Sequence, residues 1–188
     1  MTRTDALTIV LFAAAAIGGY LFTGRPLMAD QPYADRVAEI ASKRPDEMTF
    51  PEALARLESL TLEQPDAAEP HFFIAELLRS QGRDDEAVRA YQSTLRRDPA
   101  YVPAYLALAD TLVRLEEGEV TPPAQSLYDR AYALDPDQIR AGFMAGLADW
   151  QSGNASDADA RWAALAEGVE GPRAEMLAAW VSAAKGEE

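Results

Sequence analysis

The spacing of four prolines is the feature that most constrains how this 188-residue chain can fold. Pro65, Pro99, Pro136 and Pro172 each follow or terminate a helix-like apolar pattern, and successive members are 34, 37 and 36 residues apart. A period of this size indicates stacked units, each too small to bury its apolar face alone. Alanine, leucine and glutamate dominate while β-branched residues are sparse, so we expect helical units.

The apolar pattern within each period matches the tetratricopeptide repeat, whose period is about 34 residues. That repeat places a large aromatic, a leucine, a small residue and a tyrosine on its first helix, then an alanine and a large aromatic on its second helix, and then a proline. The first full repeat matches at His71, Ile74, Ala75, Leu78, Ala87, Tyr91 and Pro99. The second matches at Tyr105, Leu108, Ala109, Leu112, Ala124, Tyr128 and Pro136.

Two departures from the pattern stand out. The turn "EEGEVTPP" makes the second repeat three residues longer. A third repeat fits at Gly142, Ala145, Gly146, Ala158 and Trp162, but Asp149 occupies a slot that calls for a larger, less polar residue.

The predicted fold class is all-α: a tetratricopeptide-repeat superhelix of about three to four helix pairs with a C-terminal cap helix. A degenerate leading pair is expected from about Tyr33 to Gln64, and the cap over Arg173 to Lys185. The predicted division is residues 25–48 as linker and first helix, and residues 49–188 as the repeat domain.

The N-terminal segment is predicted to cross a membrane. Ala6 to Thr23 carry no charge, which is close to the ~20 apolar residues that a spanning helix needs. We therefore expect residues 1–24 to anchor an exported domain. The competing interpretation is a cleaved signal peptide, although "LMAD" at residues 27–30 is a poor cleavage site.

Composition and motifs argue against several function classes. A formal net charge of -14 is unsuited to nucleic acid, which needs a basic patch. The chain has no cysteine, no glycine-rich phosphate loop and a single histidine without a serine or cysteine partner at a recognisable spacing. We therefore expect no enzyme activity, no catalytic residue, no metal site and no cofactor. His71 is expected to fill a core slot.

Two sets of residues follow from the repeat pattern. The predicted structural core comprises His71, Tyr91, Tyr105, Tyr128 and Trp162. A second stripe, spaced four and then three residues apart beside the core stripe, is predicted to line a concave protein-binding groove. Its members are Phe72, Glu76, Arg79, Leu106, Asp110, Val113, Phe143, Leu147 and Trp150.

The groove is expected to be apolar at its centre and acidic at its rim. Such a surface suits an amphipathic helix with apolar and basic faces. The alternative for Phe143, Leu147 and Trp150 is that the cap helix covers them.

The order of features resembles the CcmI (CycH) family of bacterial cytochrome c maturation and its NrfG-like relatives. The resemblance lies in "GRP" and "DQPYADRVAEIA" after the apolar segment, in the repeats, and above all in "GEVTPPAQSLYDRAYALDPDQIRA". It implies an inner-membrane protein with a periplasmic C-terminal domain that acts as a chaperone. The implied partners are the C-terminal helix of apocytochrome c and haem ligation components of the CcmF and CcmH type.

The sequence also departs from that family. Longer members carry two spans joined by a cytoplasmic loop, whereas this chain resembles them only from the second span onward. Either a separate chain supplies the first span and the loop, or this is a shorter variant. The alternative function is a generic tetratricopeptide scaffold that organises another cell-envelope complex.

Overall fold

A computed structural model describes residue 40, residues 42–44 and residues 47–186. A compact unit begins at Thr49, and its described part forms eight α-helices and no strand. The helices are α1 (Phe50–Glu63), α2 (Glu69–Ser80), α3 (Asp84–Arg97), α4 (Val102–Leu115), α5 (Pro122–Leu134), α6 (Ile139–Gln151), α7 (Ala155–Glu167) and α8 (Pro172–Lys185).

Local sequence explains where these helices begin and how the chain turns between repeats. Proline lies in the first turn of α1, α2, α4, α5 and α8, where its missing N–H is not needed. At the start of α1, Thr49 and Glu52 form a capping box. After α3 and α5, the carboxylates of Asp98 and Asp135 accept hydrogen bonds from the N–H groups of Ala100 and Asp137. These side chains stabilise the two turns that carry the repeat prolines.

The helices pack as a linear stack, which confirms the predicted all-α tetratricopeptide-repeat fold. The pairs α2/α3, α4/α5 and α6/α7 each pack internally, and each pair packs on the next. α1 packs on α2 and stands where the second helix of the predicted leading pair was expected. α8 packs on α6 and α7 at the other end and acts as the cap.

The core of each pair places a large aromatic against small residues. Tyr91 and Tyr128 are fully buried and Trp162 is nearly so, whereas His71 and Tyr105 are half-buried. The small slots of the first two pairs, Ala75, Ala87, Ala109 and Ala124, are also fully buried. Small side chains let the two backbones approach closely enough for one aromatic ring to fill the remaining space.

The third pair solves the same packing problem with a larger aromatic. Trp162 takes the tyrosine slot, and Gly146 takes the slot of Ala75 and Ala109. A Cβ atom on Gly146 would lie 2.8 Å from Trp162 Cδ1 and closer still to Nε1. The indole N–H donates to the carbonyl of Phe143 at 3.1 Å, so this buried donor is satisfied.

Asp149, the departure in the third repeat, forms a bridge between helices. Its carboxylate accepts hydrogen bonds from Gln125 Nε2 of α5 at 2.8 Å and from Arg161 Nε of α7 at 2.9 Å. The register of the third repeat therefore holds, because a polar bridge replaces the apolar contact made at this slot in the other pairs.

The long turn before α5 is also fixed to the following pair. Val120 is 3% exposed, and its N–H donates to Gln151 Oε1 at 2.7 Å. Gln151 Nε2 in turn donates to the carbonyl of Gly118 at 3.2 Å. The insertion in "GEVTPPAQ" is therefore an ordered part of the stack.

The predicted membrane anchor, residues 1–24, lies outside the described residues. Within the part of the chain that the structure describes, no helix is long and apolar enough to span a bilayer.

His71 occupies its slot with an unsatisfied polar atom. Its Nε2 is buried and has no hydrogen-bond partner. Burial of the ring, followed by the positive charges of Arg97 and Arg96, holds the pKa of His71 below its usual value of 6.5. The side chain is therefore a packing group that resists protonation.

Substitution of Gly146 by alanine should destabilise the third pair. Overpacking against the indole ring costs typically 1–3 kcal/mol, and the better helix propensity of alanine returns up to about 1 kcal/mol. We expect a net loss of about 1 to 2 kcal/mol in the free energy of unfolding, measured by urea denaturation. Gly142→Ala is the matched control, because its Cβ would meet the flexible methyl ends of Leu165 at 3.1 Å and Tyr132 Cδ2 at 3.4 Å, with no contact as short as those on Gly146. Equal effects of the two substitutions would contradict the steric explanation.

Substitution of His71 by phenylalanine should stabilise the protein. The aromatic slot stays filled, and the unsatisfied Nε2 is removed, which should raise the free energy of unfolding by about 1 kcal/mol near neutral pH. The gain should grow as the pH falls below 6.5, because the unfolded parent then takes up a proton that the folded form resists. Urea denaturation across this range measures both effects, and a variant less stable than the parent throughout would refute them.

Candidate functional site

The predicted groove residues lie on the first helices of the pairs, at the seams where one pair meets the next. Those on α2 and α4 are partly exposed, and those on α6 approach the cap helix. The two ends of the stripe therefore have different surroundings.

Phe72 packs between its own pair and the next one. Its ring centroid lies 5.9 Å from that of Tyr91 on α3 and 5.2 Å from that of Tyr101 at the start of α4. The side chain is half-buried, so part of the ring remains open to solvent. Phe72 thus contributes to the seam between repeats as well as to its surface.

Phe143 makes the equivalent contacts in the third pair, but the cap helix α8 covers its side chain. Its ring lies 5.7 Å from Trp162 and 5.4 Å from Trp180 of the cap helix, and the residue is only 9% exposed. Of the two alternatives for Phe143, its surroundings favour cover by the cap helix, because α8 supplies the neighbouring aromatic that the next repeat would otherwise supply.

Leu147 and Trp150 are half-buried beside the same cap. They pack against the same buried cluster as Val181 and Ala184 of α8, and Lys185 Nζ lies 5.8 Å from the centre of the Trp150 ring. Leu106 and Val113 are half-buried against the core of the second pair. The accessible apolar part of the stripe is therefore concentrated on α2 and α4.

Glu76 and Arg79, the polar members of the stripe on α2, form a closed cluster with Tyr91 of α3. The Tyr91 hydroxyl donates to Glu76 Oε1. Arg79 donates from Nη2 to Glu76 Oε2 at 2.7 Å and from Nε to the Tyr91 hydroxyl oxygen at 3.1 Å. The carboxylate of Glu76 thus accepts the hydrogen bond of the buried Tyr91 hydroxyl, and its negative charge is balanced by the guanidinium of Arg79.

A second cluster of the same kind joins α4, α5 and α6. Tyr128 Oη donates to Asp110 Oδ1 at 2.6 Å. Arg140, from the following pair, binds both oxygens of Asp110, at 2.8 Å to Oδ1 and 3.0 Å to Oδ2. This bidentate ion pair connects the second pair to the third.

These clusters change the expected electrostatics of the groove. Glu76 and Asp110 were predicted to form an acidic rim, but each is paired with an arginine at close range. Burial, and then the hydrogen bond to the adjacent carboxylate, raises the pKa of both Tyr91 and Tyr128 well above the usual value of 10.0. The charges of Glu76 and Asp110 at the seam are therefore locally balanced, and the remaining accessible surface of the stripe is mainly apolar.

Two residues of this surface were missed by the sequence pattern. Phe73 is 52% exposed and touches Phe72 edge-on, with ring centroids 5.7 Å apart. The sequence does contain a sign of this exposed aromatic: Phe72 and Phe73 are adjacent on one helix, so only one of the two can occupy the seam. Arg140 lies in a later repeat, and nothing local to Asp110 indicates their pairing, since 30 residues separate them.

The described residues contain no group of three or more histidine, aspartate or glutamate side chains arranged to hold a metal ion. The polar clusters of the seam are tyrosine, carboxylate and guanidinium groups in mutual hydrogen bonds. Their chemistry is that of structural pairing.

The two buried tyrosines should make folding sensitive to high pH. Their pKa values are raised in the folded state, so above about pH 10 the unfolded chain loses phenolic protons that the folded chain retains. The free energy of unfolding should thus be nearly constant from neutral pH to about pH 9 and should fall above about pH 10. Urea denaturation of Tyr91→Phe and Tyr128→Phe should show a shallower decline. The half-buried Tyr105→Phe is the control, and a slope in the Tyr91 and Tyr128 variants as steep as in the parent would refute this.

Comparison with known proteins supports the repeat assignment. A family model described as "Tetratricopeptide repeat" matches residues 68–111, which cover α2, α3 and most of α4. Two solved structures share the fold, titled "Crystal structure of MamA protein" and "Crystal structure of MamA". The first has a TM-score of 0.55 at 20% identity and covers 65% of this chain and 65% of that one. The second has a TM-score of 0.53 at 20% identity and covers 60% and 64%.

Two curated relatives carry the name "Cytochrome c-type biogenesis protein CycH". The protein from Bradyrhizobium diazoefficiens is 30% identical over 85% of this chain, and the protein from Rhizobium meliloti is 32% identical over 87%. The chain spans only 42% and 41% of the length of these relatives. The chain is therefore a tetratricopeptide-repeat protein, all-helical over the repeat domain that the structure describes, whose sequence is related over most of its length to the CycH cytochrome c-type biogenesis proteins.

Proposed function

We propose that the protein is a non-catalytic assembly factor of cytochrome c maturation. In this proposal, the groove formed by the first helices holds the C-terminal helix of apocytochrome c and presents it to a haem ligation complex with CcmF-type and CcmH-type components. The name of the curated relatives supports the pathway. The observation that carries the binding mode is the accessible aromatic pair Phe72 and Phe73 beside a charge-neutral seam.

The groove suits a helix bound chiefly through its apolar face. Phe73 exposes half of a large aromatic side chain and touches Phe72, and the half-buried Phe72, Leu106 and Val113 provide further apolar surface on α2 and α4. Aromatic side chains of this kind typically dominate binding energy at such interfaces. Because Glu76 and Asp110 are already paired, a basic face on the client is not required at the seam.

The cap helix limits where a client can lie. α8 covers Phe143 and packs beside Trp150, so the client helix would occupy the α2 and α4 end of the stack. This placement leaves the α6 end to stabilise the array. The proposal includes anchoring in the bacterial inner membrane by a single span within residues 1–24, with the repeat domain in the periplasm.

Phe73→Ser should weaken binding of a peptide that copies the C-terminal helix of a c-type apocytochrome. Loss of one exposed aromatic anchor is expected to raise the Kd about tenfold or more. Affinity follows from fluorescence anisotropy with a labelled peptide. Because the residue is 52% exposed, the melting temperature should stay close to that of the parent.

Leu62→Ser is the matched control, since Leu62 is the most exposed large apolar residue among those described, at 84%, and lies on α1, which carries no member of the stripe. Phe72→Ala is a weaker test, because Phe72 packs on Tyr91 and Tyr101 and its loss also costs stability. Unchanged affinity of Phe73→Ser would reject the groove. Normal haem-stained c-type cytochromes in a deletion strain would reject the maturation role and favour a scaffold of another envelope complex.

A further inference from the structure

The outer face of the stack, formed by the second helices, carries an open apolar cleft between the first two pairs. Its volume is about 460 Å³. α3 and α5 form its walls and α4 its floor. The apolar lining comprises Leu95, Leu108, Leu112, Pro123 and Leu127, with Arg96 at the edge.

The next junction along the stack has the same architecture but is bridged by an ion pair. There, Arg161 Nη1 of α7 pairs with Asp129 Oδ1 of α5 at 2.7 Å. By repeat position, Asp129 corresponds to Gln92 and Arg161 corresponds to Leu127 at the cleft. Glutamine and leucine cannot form an ion pair, so the α3/α5 junction lacks the bridge that closes the α5/α7 junction.

Positive charge surrounds this unbridged junction. Arg96 lies at the cleft edge, and Arg89 and Arg130 lie one helical turn from the lining residues Gln92 and Leu127 on the same helices. All three arginines are exposed, and none forms an ion pair with another described residue. Most other arginines of the repeat domain are paired. Glu86, whose carboxylate also feels the charge of Arg89, is already paired with Arg83, so in a chain of net charge -14 the three arginines form a basic surface.

We propose that this cleft is a second docking site, separate from the groove, for an acidic amphipathic segment of a partner protein. Leucine-like side chains of the segment enter the apolar cleft, and its carboxylates pair with Arg89, Arg96 and Arg130. The charge complementarity selects an acidic partner, and the apolar floor selects an amphipathic one. An anionic lipid surface suits the site less well, because the strongly acidic remainder of the chain is repelled by it.

Two synthetic helical peptides test the proposal with the full 188-residue chain. They share the same leucine positions, and one carries glutamate and the other lysine at the remaining exposed positions. Fluorescence anisotropy should show binding of the glutamate peptide, weakening as salt is raised, and at least tenfold weaker binding of the lysine peptide. Equal affinity for both peptides, or affinity independent of salt, would overturn the proposal.

Variants locate the binding to the cleft. Arg96→Glu should weaken the glutamate peptide about tenfold, whereas Arg56→Glu, at an arginine of α1 outside the cleft, should not. The double variant Q92D/L127R copies the Asp129 and Arg161 bridge, and it should close the cleft and abolish binding. Its melting temperature should fall somewhat, because Leu127 also packs against the cores of both pairs, so circular dichroism must show that the variant is folded. Phe73→Ser should leave this binding unchanged, which separates the cleft from the groove. Full binding by Arg96→Glu or by the folded double variant would overturn the assignment.

The other possible occupants are distinguished in parallel. Binding of the chain to vesicles containing anionic phospholipid, lost in Arg96→Glu, would replace the peptide with a lipid surface. Sedimentation that shows a dimer of the chain, dissociated by the same substitution, would identify the occupant as a second copy. Either result overturns the proposal. A monomeric chain that does not bind the vesicles but binds the glutamate peptide supports it.

Discussion

In each helix pair of the stack, one large aromatic side chain packs against a small residue, and this contact determines which polar residues lie beside it. Tyr91 and Tyr128 are completely buried because Ala75 and Ala109 let the paired helices approach. A buried tyrosine brings its hydroxyl into the interior, and that hydroxyl needs a hydrogen-bond partner. Glu76 and Asp110 provide it, and their own charge is then balanced by Arg79 and Arg140. The charge pattern of the seam therefore follows from the core.

The third pair shows the same logic with a different residue. An indole has a donor but no acceptor, and Trp162 satisfies it with the carbonyl of Phe143. No carboxylate is needed, so the position equivalent to Glu76 and Asp110 holds Leu147. The larger ring instead requires Gly146 in place of alanine. The polar or apolar character of this stripe position therefore depends on whether tyrosine or tryptophan fills the core of the pair. At the apolar α6 end, the cap helix α8 covers Phe143.

The two faces of the stack differ for a related reason. On the inner face, Glu76 and Asp110 are each paired with an arginine, which leaves mainly apolar surface exposed. On the outer face, one junction is closed by Arg161 and Asp129, while the preceding junction keeps leucine and glutamine at those positions. A repeat protein can therefore carry two chemically distinct surfaces, because equivalent positions need not hold equivalent side chains.

The sequence by itself determined the helical repeats, their register, the small-against-large pattern of the core and the turns with proline, because each depends on neighbours within one period. It identified Phe72 and Leu106 as members of one stripe but not their share in packing. Only the tertiary structure decided that Phe143 lies beneath α8, that Arg140 neutralises Asp110, that Gln125 and Arg161 hold Asp149, and that one outer junction stays open. These outcomes depend on which side chains meet across helices far apart in the chain, and a local period carries no information about such pairs.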